Sequence, residues 1–182
     1  AERQARSCPP FALLGSPETL ARLSQNLGLD VPVRPCGWDD AEAIFPAGLP
    51  VIPLEHRFDA TPGRPDPASA PGTIESITRA VSAVRDGRAA ALVTNPIAKS
   101  VLYAAGFSHP GHTEFLAHLA GEGGPAPHPV MLLWSADLAV VPVTIHVPLR
   151  AVPGLLTTDL IVETGIIVAR EMTTRFGLAR PR

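Results

Sequence analysis

The stretch Ala89-Ala90-Ala91-Leu92-Val93-Thr94-Asn95-Pro96-Ile97-Ala98-Lys99 decides how this chain is read. Its first part, Ala89 to Thr94, is continuously apolar and reads as a central strand buried on both faces, as in a parallel sheet. A short helix follows Pro96 and stops at Gly106. On the N-terminal side, Thr73 to Arg85 carries Ile74, Ile77, Val81 and Val84 at helical spacing, and Gly87 ends that helix. Helix, strand and helix in succession predict an α/β fold with a largely parallel sheet.

The same alternation continues outward in both directions. Phe11 to Gly15 reads as a short buried strand. Ser16-Pro17-Glu18 then opens a helix with a serine cap, a proline in the first turn and an acid at its positive end. That helix is expected to reach about Leu27 and stop at Gly28. Val31 to Arg34 and Leu49 to Leu54 are further short strands. The segment from Arg57 to Gly72 is rich in Pro, Asp, Gly and Ser and is expected to be a loop. Downstream, a helix begins near Thr113 and ends by Gly121, with a flexible turn to Pro129. Strands are expected at Val130 to Trp134 and Leu138 to Thr144, and a long helix at Thr158 to Phe176. Ala179-Arg180-Pro181-Arg182 leaves that helix where an α/β pattern calls for another strand.

Composition narrows the classes of function. Hydrophobic residues make up 46% and charged residues 18% of the 182 residues, which suits a globular protein with a core. The net charge of −2 supplies no basic field for nucleic acid. No run approaches the roughly 18 apolar residues of a membrane span, and Ala1 to Ser7 lacks the apolar core of a signal peptide. Cys8 and Cys36 form no CxxC pair, so a reduced, cytoplasmic protein is expected. Of the 15 basic residues only Lys99 is lysine; the rest are arginine. A lysine that survives such a bias is a candidate for a task arginine cannot perform, although one residue had to be the last.

Three clusters carry candidate chemistry. Thr94-Asn95-Pro96-Ile97-Ala98-Lys99 lies where a strand gives way to a helix, the crevice in which open α/β sheets bind ligands. Lys99 offers a mobile positive charge for a phosphate, a carboxylate or a proton transfer; read blandly, it faces solvent beside a plain turn. In His109-Pro110-Gly111-His112-Thr113-Glu114-Phe115, Gly111 permits close backbone approach and Thr113 is a good helix cap. His112 at a helix start suits an anion or a proton relay; read blandly, it is a surface residue and Thr113 only caps. In Thr144-Ile145-His146-Val147-Pro148-Leu149-Arg150, His146 closes an apolar strand and is a fair metal ligand. One histidine does not make a site, since zinc takes three or four ligands. There is no GxGxxG, P-loop, HExxH or GxSxG motif.

The order and spacing of these clusters resemble the 4-hydroxythreonine-4-phosphate dehydrogenase family of vitamin B6 biosynthesis. The segments Thr94 to Lys99, Gly111-His112-Thr113-Glu114-Phe115 and His146-Val147-Pro148-Leu149-Arg150-Ala151-Val152-Pro153 carry the likeness, which runs from about Phe11 to Arg182. The resemblance implies a two-lobed α/β/α fold like that of isocitrate and isopropylmalate dehydrogenases, incomplete in this chain. Residues 1–106 are then part of the first lobe and 107–182 part of the second. It implies NAD-dependent (or NADP-dependent) oxidation of 4-phosphohydroxy-L-threonine to a 3-keto acid, which decarboxylates to 3-amino-2-oxopropyl phosphate. It also implies a divalent metal (Zn, Mg or Co) held by three histidines, of which His146 matches the first. His112 and Thr113 match the substrate-binding pair, and Lys99 lies in an active-site motif. A cytoplasmic homodimer with shared active sites is expected. Asn95 stands where many relatives have a smaller residue. The family's opening Gly-Asp-Pro-Ala-Gly-Ile-Gly-Pro-Glu segment is not present, and the other two metal histidines, the phosphate-binding basic residues and most of the NAD site are expected beyond Arg182. Two alternatives stay open: a related dehydrogenase acting on a four-carbon acid phosphate or a cyclic dihydrodiol, and an inactive fragment that only dimerises or binds ligand.

Overall fold

The structure, a computed structural model, describes residues 8–56, 61, 63–121 and 124–181. The expectations for Ala1 to Ser7 and for parts of the 57–72 and 121–129 segments therefore lie outside the described residues. The chain divides into two compact units, Ala1–Pro127 and His128–Arg182.

In the first unit, strands β1 (Leu13–Gly15), β2 (Val33–Pro35) and β3 (Leu49–Pro53) form a parallel sheet in the order β1-β3-β2. Leu13 pairs with Val51, and Val33 with Leu49. The middle strand is the apolar one, and Val51 and Ile52 are buried. This parallel sheet in a mixed α/β chain is the class the alternation predicts. Helix α1 (Pro17–Asn26) starts as read: the Ser16 hydroxyl accepts from the Thr19 amide at 3.1 Å. Gly28, at φ +64°, takes the left-handed conformation that ends it. Helix α2 (Ala41–Ile44) and a 3₁₀ turn (Phe45–Ala47) lead to Gly48. A β-carbon on Gly48 would stand 2.5 Å from the Pro32 carbonyl oxygen, so glycine lets β3 approach the chain entering β2.

Helix α3 (Ala70–Arg85) starts three residues ahead of the sequence reading, after a 3₁₀ turn at Pro67–Ser69 capped by Asp66. Two later helices pack on it. Ala70 packs with Val101 and Leu102 of helix α4 (Lys99–Ala104), and Ile77 with Phe115 and Leu119 of helix α5 (His112–Ala120). Phe107 meets Phe115 edge-on at 5.0 Å between ring centres. Burying these apolar side chains is the force that sets α4 beside α5.

One central expectation is corrected. Ala89 to Thr94 is not a strand, and Val93 is 91% exposed. A strand exists only where another lies alongside to take its amides and carbonyls. No strand among the described residues pairs with this segment.

The second unit holds a two-stranded antiparallel hairpin, β4 (Leu133–Trp134) and β5 (Ala139–Val140). These strands are shorter than the sequence reading, and β5 stops well before Thr144. A 3₁₀ turn (Leu149–Ala151) and helix α6 (Val152–Leu155) precede helix α7 (Thr158–Thr174). The Thr157 hydroxyl caps α7 by accepting from the Leu160 amide at 3.2 Å, and Gly177 at φ +69° follows its end. Cys8 and Cys36 are both free. Among the described residues no single helix is long and apolar enough to cross a membrane.

Candidate active site

The packing of α4 and α5 on α3 brings together the first two sequence clusters. Lys99 is the first residue of α4, and Gly111 is the N-cap of α5. The Lys99 Nζ lies 3.6 Å from where a β-carbon on Gly111 would sit. The loop between the helices is held by the Tyr103 hydroxyl, which donates to the Pro110 carbonyl at 3.1 Å. Lys99 makes no ion pair or hydrogen bond with any described residue.

The start of α5 is unusually open. Thr113 is not the cap expected from sequence: Gly111 holds that position, and no side chain accepts from the first-turn amides. Thr113 lies instead in the first turn, exposed to solvent. Donors left without intrahelical partners at a helix start carry partial positive charge and attract anions. His112 stands at that start, half-buried, and its Nε2 is shielded from solvent without a hydrogen-bond partner. Leaving such an atom unpaired costs about 1–3 kcal/mol, which a ligand polar group would recover. The Glu114 carboxylate also borders Gly111, with Oε2 at 3.3 Å from the same β-carbon position, so the opening carries one acid as well as the lysine. The His109 ring is packed by Phe107, Phe115 and His118 at 5.2, 5.0 and 4.9 Å between centres, which makes it part of the hydrophobic support.

The third cluster is placed differently. His146 belongs to the second unit, is exposed, and does not close a strand, because β5 ended at Val140. Its backbone is left-handed, at φ +55°, and it is the one non-glycine residue with positive φ among the described residues. Such a conformation costs roughly 1–2 kcal/mol for a residue with a β-carbon. No group of three or more His, Cys, Asp or Glu able to hold a metal occurs among the described residues. The three-histidine metal centre that the resemblance implies is therefore not complete within the described residues.

Sequence reasoning missed a second arrangement, at the carboxyl ends of the three parallel strands. A crevice of about 190 Å³ there is lined by Ser16, Glu18, Pro35, Pro53, Leu54 and His56. Behind it, the Glu75 carboxylate accepts from the amides of Glu55 and His56, each at 2.9 Å, and from Arg79 at 2.9 Å. His56 Nδ1 lies 2.9 Å from the same carboxylate. Burial alone would raise the Glu75 carboxyl, but the bonds from the His56 and Glu55 amides, the His56 ring and Arg79 outweigh it. They hold it at about 2. Glu75 to Arg79 is a helical i, i+4 pair and was legible; its partners at Glu55 and His56 are far in sequence and were not.

A parallel sheet, an open helix start, a lysine without a partner among the described residues and a half-buried imidazole mark an α/β protein whose candidate ligand site lies at the start of α5. The chain belongs to the family described as Pyridoxal phosphate biosynthetic protein PdxA, which it matches over residues 6–182. It is 55% identical, over its whole length, to a 4-hydroxythreonine-4-phosphate dehydrogenase of Xanthobacter autotrophicus, covering 52% of that relative. It is 56% identical to the protein of that name from Methylorubrum extorquens, covering 99% of this chain and 52% of the relative. Among solved structures, the 4-hydroxythreonine-4-phosphate dehydrogenase from Burkholderia phymatum superposes with a TM-score of 0.84 at 28% identity, over all of this chain and 53% of that one. The chain thus spans about half the length of the relatives it matches.

Proposed function

We propose that this chain forms part of an NAD-dependent dehydrogenase that oxidises 4-phosphohydroxy-L-threonine to its 3-keto acid, which loses CO₂ to give 3-amino-2-oxopropyl phosphate. The observation that carries the reading is the Lys99 Nζ beside Gly111 at the uncapped start of α5, next to the unpaired Nε2 of His112. These groups suit a substrate that is both anionic and rich in hydrogen-bonding atoms. The names of the relatives point to the same substrate class.

In this reading His112 and the first-turn amides of α5 hold the substrate's polar groups, and the Thr113 hydroxyl adds a donor at the exposed rim. Fixing the reacting carbon in this way is worth several kcal/mol of the barrier. Oxidation of the secondary alcohol removes a hydride and a proton, and a bound nicotinamide would supply the hydride acceptor. Loss of CO₂ leaves an enolate carbon that must be protonated, and the Lys99 ammonium is the donor at hand. His146 is one ligand of a divalent metal, whose other ligands come from outside the described residues. The complete protein is a cytoplasmic homodimer.

The test is NADH formation by the protein at the full length of its relatives, supplied with divalent metal and 4-phosphohydroxy-L-threonine, with His112→Ala and His146→Ala in parallel. Turnover that weakens through KM in the first variant and disappears with the metal in the second supports the reading. Absence of turnover on this substrate, with turnover on erythronate 4-phosphate or a cyclic dihydrodiol, would replace it with the corresponding related dehydrogenase.

A further inference from the structure

The segment between α4 and α5 is held unevenly. Gly106, at φ +86°, turns the chain out of α4, and the Phe107 amide donates back to the Leu102 carbonyl at 3.0 Å. At the far end the Pro110 carbonyl accepts from the Tyr103 hydroxyl at 3.1 Å. Between these two anchors, Ser108 and His109 make no hydrogen bond or ion pair with any described residue.

What holds the middle of the loop is the His109 ring. Its centre lies 5.0 Å from that of Phe115 and 4.9 Å from that of His118, with tilts of 37° and 40°. Phe107 closes a third side at 5.2 Å. Phe115 is itself buried against Ile77 of α3, so His109 rests on a fixed surface. Phe115 and His118, three residues apart, share one face of α5. A side chain just ahead of a helix that packs on the helix's early turns fixes the angle at which the chain enters. His109 stands two residues before the N-cap, Gly111, and Phe115 four residues after it. Gly111 brings no side chain to cap the helix, so the entry angle is left to the ring stack.

That angle places the groups of the candidate site. It brings Gly111 beside Lys99, whose Nζ lies 3.6 Å from the β-carbon position, and it carries His112 into the half-buried setting that shields its Nε2. We propose that His109 is a positioning residue: by stacking on Phe115 and His118 it sets where Gly111 and His112 stand relative to Lys99. The inference rests on the reading of that corner as the substrate site. His109 acts through the backbone of the two residues that follow it, and it is the plane of its ring, not its proton chemistry, that does so. A phenyl ring therefore substitutes for it.

The experiment uses the protein at the full length of its relatives, as wild type, His109→Phe and His109→Ala. NADH formation is measured with divalent metal and 4-phosphohydroxy-L-threonine, beside thermal unfolding and the NMR signals of the His112 ring. In His109→Ala, kcat/KM falls by about 10–100-fold, the scale of a small misplacement of binding groups, and the loss appears mainly as a rise in KM. Partial unfolding alone would lower kcat with the folded fraction and leave KM unmoved. His109→Phe keeps KM within about threefold of wild type. A folded His109→Ala with unchanged KM, or a His109→Phe as impaired as His109→Ala, overturns the inference. If the wild type does not turn over this substrate, the His112 signals decide: displaced in His109→Ala and retained in His109→Phe, they keep the positioning role while removing the proposed reaction. Unmoved in both, they overturn it. If His109→Ala does not fold, His118→Ala, which removes only the exposed side of the stack, decides by the same rise in KM.

Discussion

Lys99 and Gly111, twelve residues apart in sequence, share one corner of the structure: the lysine Nζ stands 3.6 Å from the place a β-carbon on Gly111 would occupy. Gly111 is extended, with φ −176°, so its backbone suits any residue. Its value is the space it leaves between an ammonium group and an open helix start.

That relationship yields a prediction about function separate from folding. In the protein at the length of its relatives, Lys99→Ala is expected to lower kcat/KM by roughly 10²–10⁴-fold, the usual range for a positioned proton donor. It should move the unfolding free energy by only about 0.5 kcal/mol, because Lys99 is exposed and has no partner to lose. Steady-state kinetics beside thermal unfolding checks this; a rate within threefold of wild type removes Lys99 from the chemistry.

Glu75 governs a second prediction, in acid. Its folded pKa of about 2 lies below the ordinary 4.5, so its contribution to stability is fully present above about pH 4.5 and is lost as pH falls toward 2. The side chain is 12% exposed, and the lowering corresponds to on the order of 3 kcal/mol. Denaturant unfolding between pH 6 and pH 2.5 should show a stability decline that flattens in Glu75→Gln. Identical pH curves for the two proteins would mean the hydrogen bonds to Glu55, His56 and Arg79 do not persist in solution.

Gly48 carries a steric prediction. Gly48→Ala places a methyl group 2.5 Å from the Pro32 carbonyl oxygen and 2.9 Å from Arg34 Cγ. The side chain of Arg34 can swing away, but the Pro32 backbone is tied into the sheet by the Leu49 amide at 2.7 Å. Overpacking of this kind costs about 1–3 kcal/mol. Urea unfolding of the single variant is the check, and a loss below about 0.5 kcal/mol would show that β2 and β3 separate freely.

His146 separates backbone strain from ligand chemistry. At φ +55°, His146→Gly relieves the left-handed strain and His146→Ala keeps it, so the glycine variant should be the more stable of the two by about 1 kcal/mol. Both should lose bound metal equally if the imidazole is a ligand. Metal content by mass spectrometry, beside thermal unfolding, reads the two effects independently; full metal retention in either variant rules out ligation.

Local rules sufficed wherever neighbours in sequence set the structure. Ser16 and Thr157 cap helices by bonds three residues long, and Gly28, Gly106 and Gly177 follow helix ends with positive φ because no other residue takes that conformation so cheaply. The alternation of apolar runs determined the α/β class. The spacing of Lys99, His112 and His146 pointed to the family. Ala89 to Thr94 shows where that reading stops. Its apolar run states that it needs burial, but a strand is completed by a partner elsewhere in the fold, and none pairs with it among the described residues.

Tertiary structure alone decided the rest. The approach of Lys99 to Gly111 comes from Ala70 and Ile77 on α3 drawing two other helices onto one face. Which residue caps α5, and that His112 Nε2 is buried without a partner, depend on the angle at which the chain enters that helix. The contacts of Glu75 with residues 19 and 20 positions away arise the same way. Hydrophobic burial is non-directional and acts between segments distant in the chain. A sequence therefore states which faces must be buried, and only the packed structure states which polar groups that burial leaves facing one another.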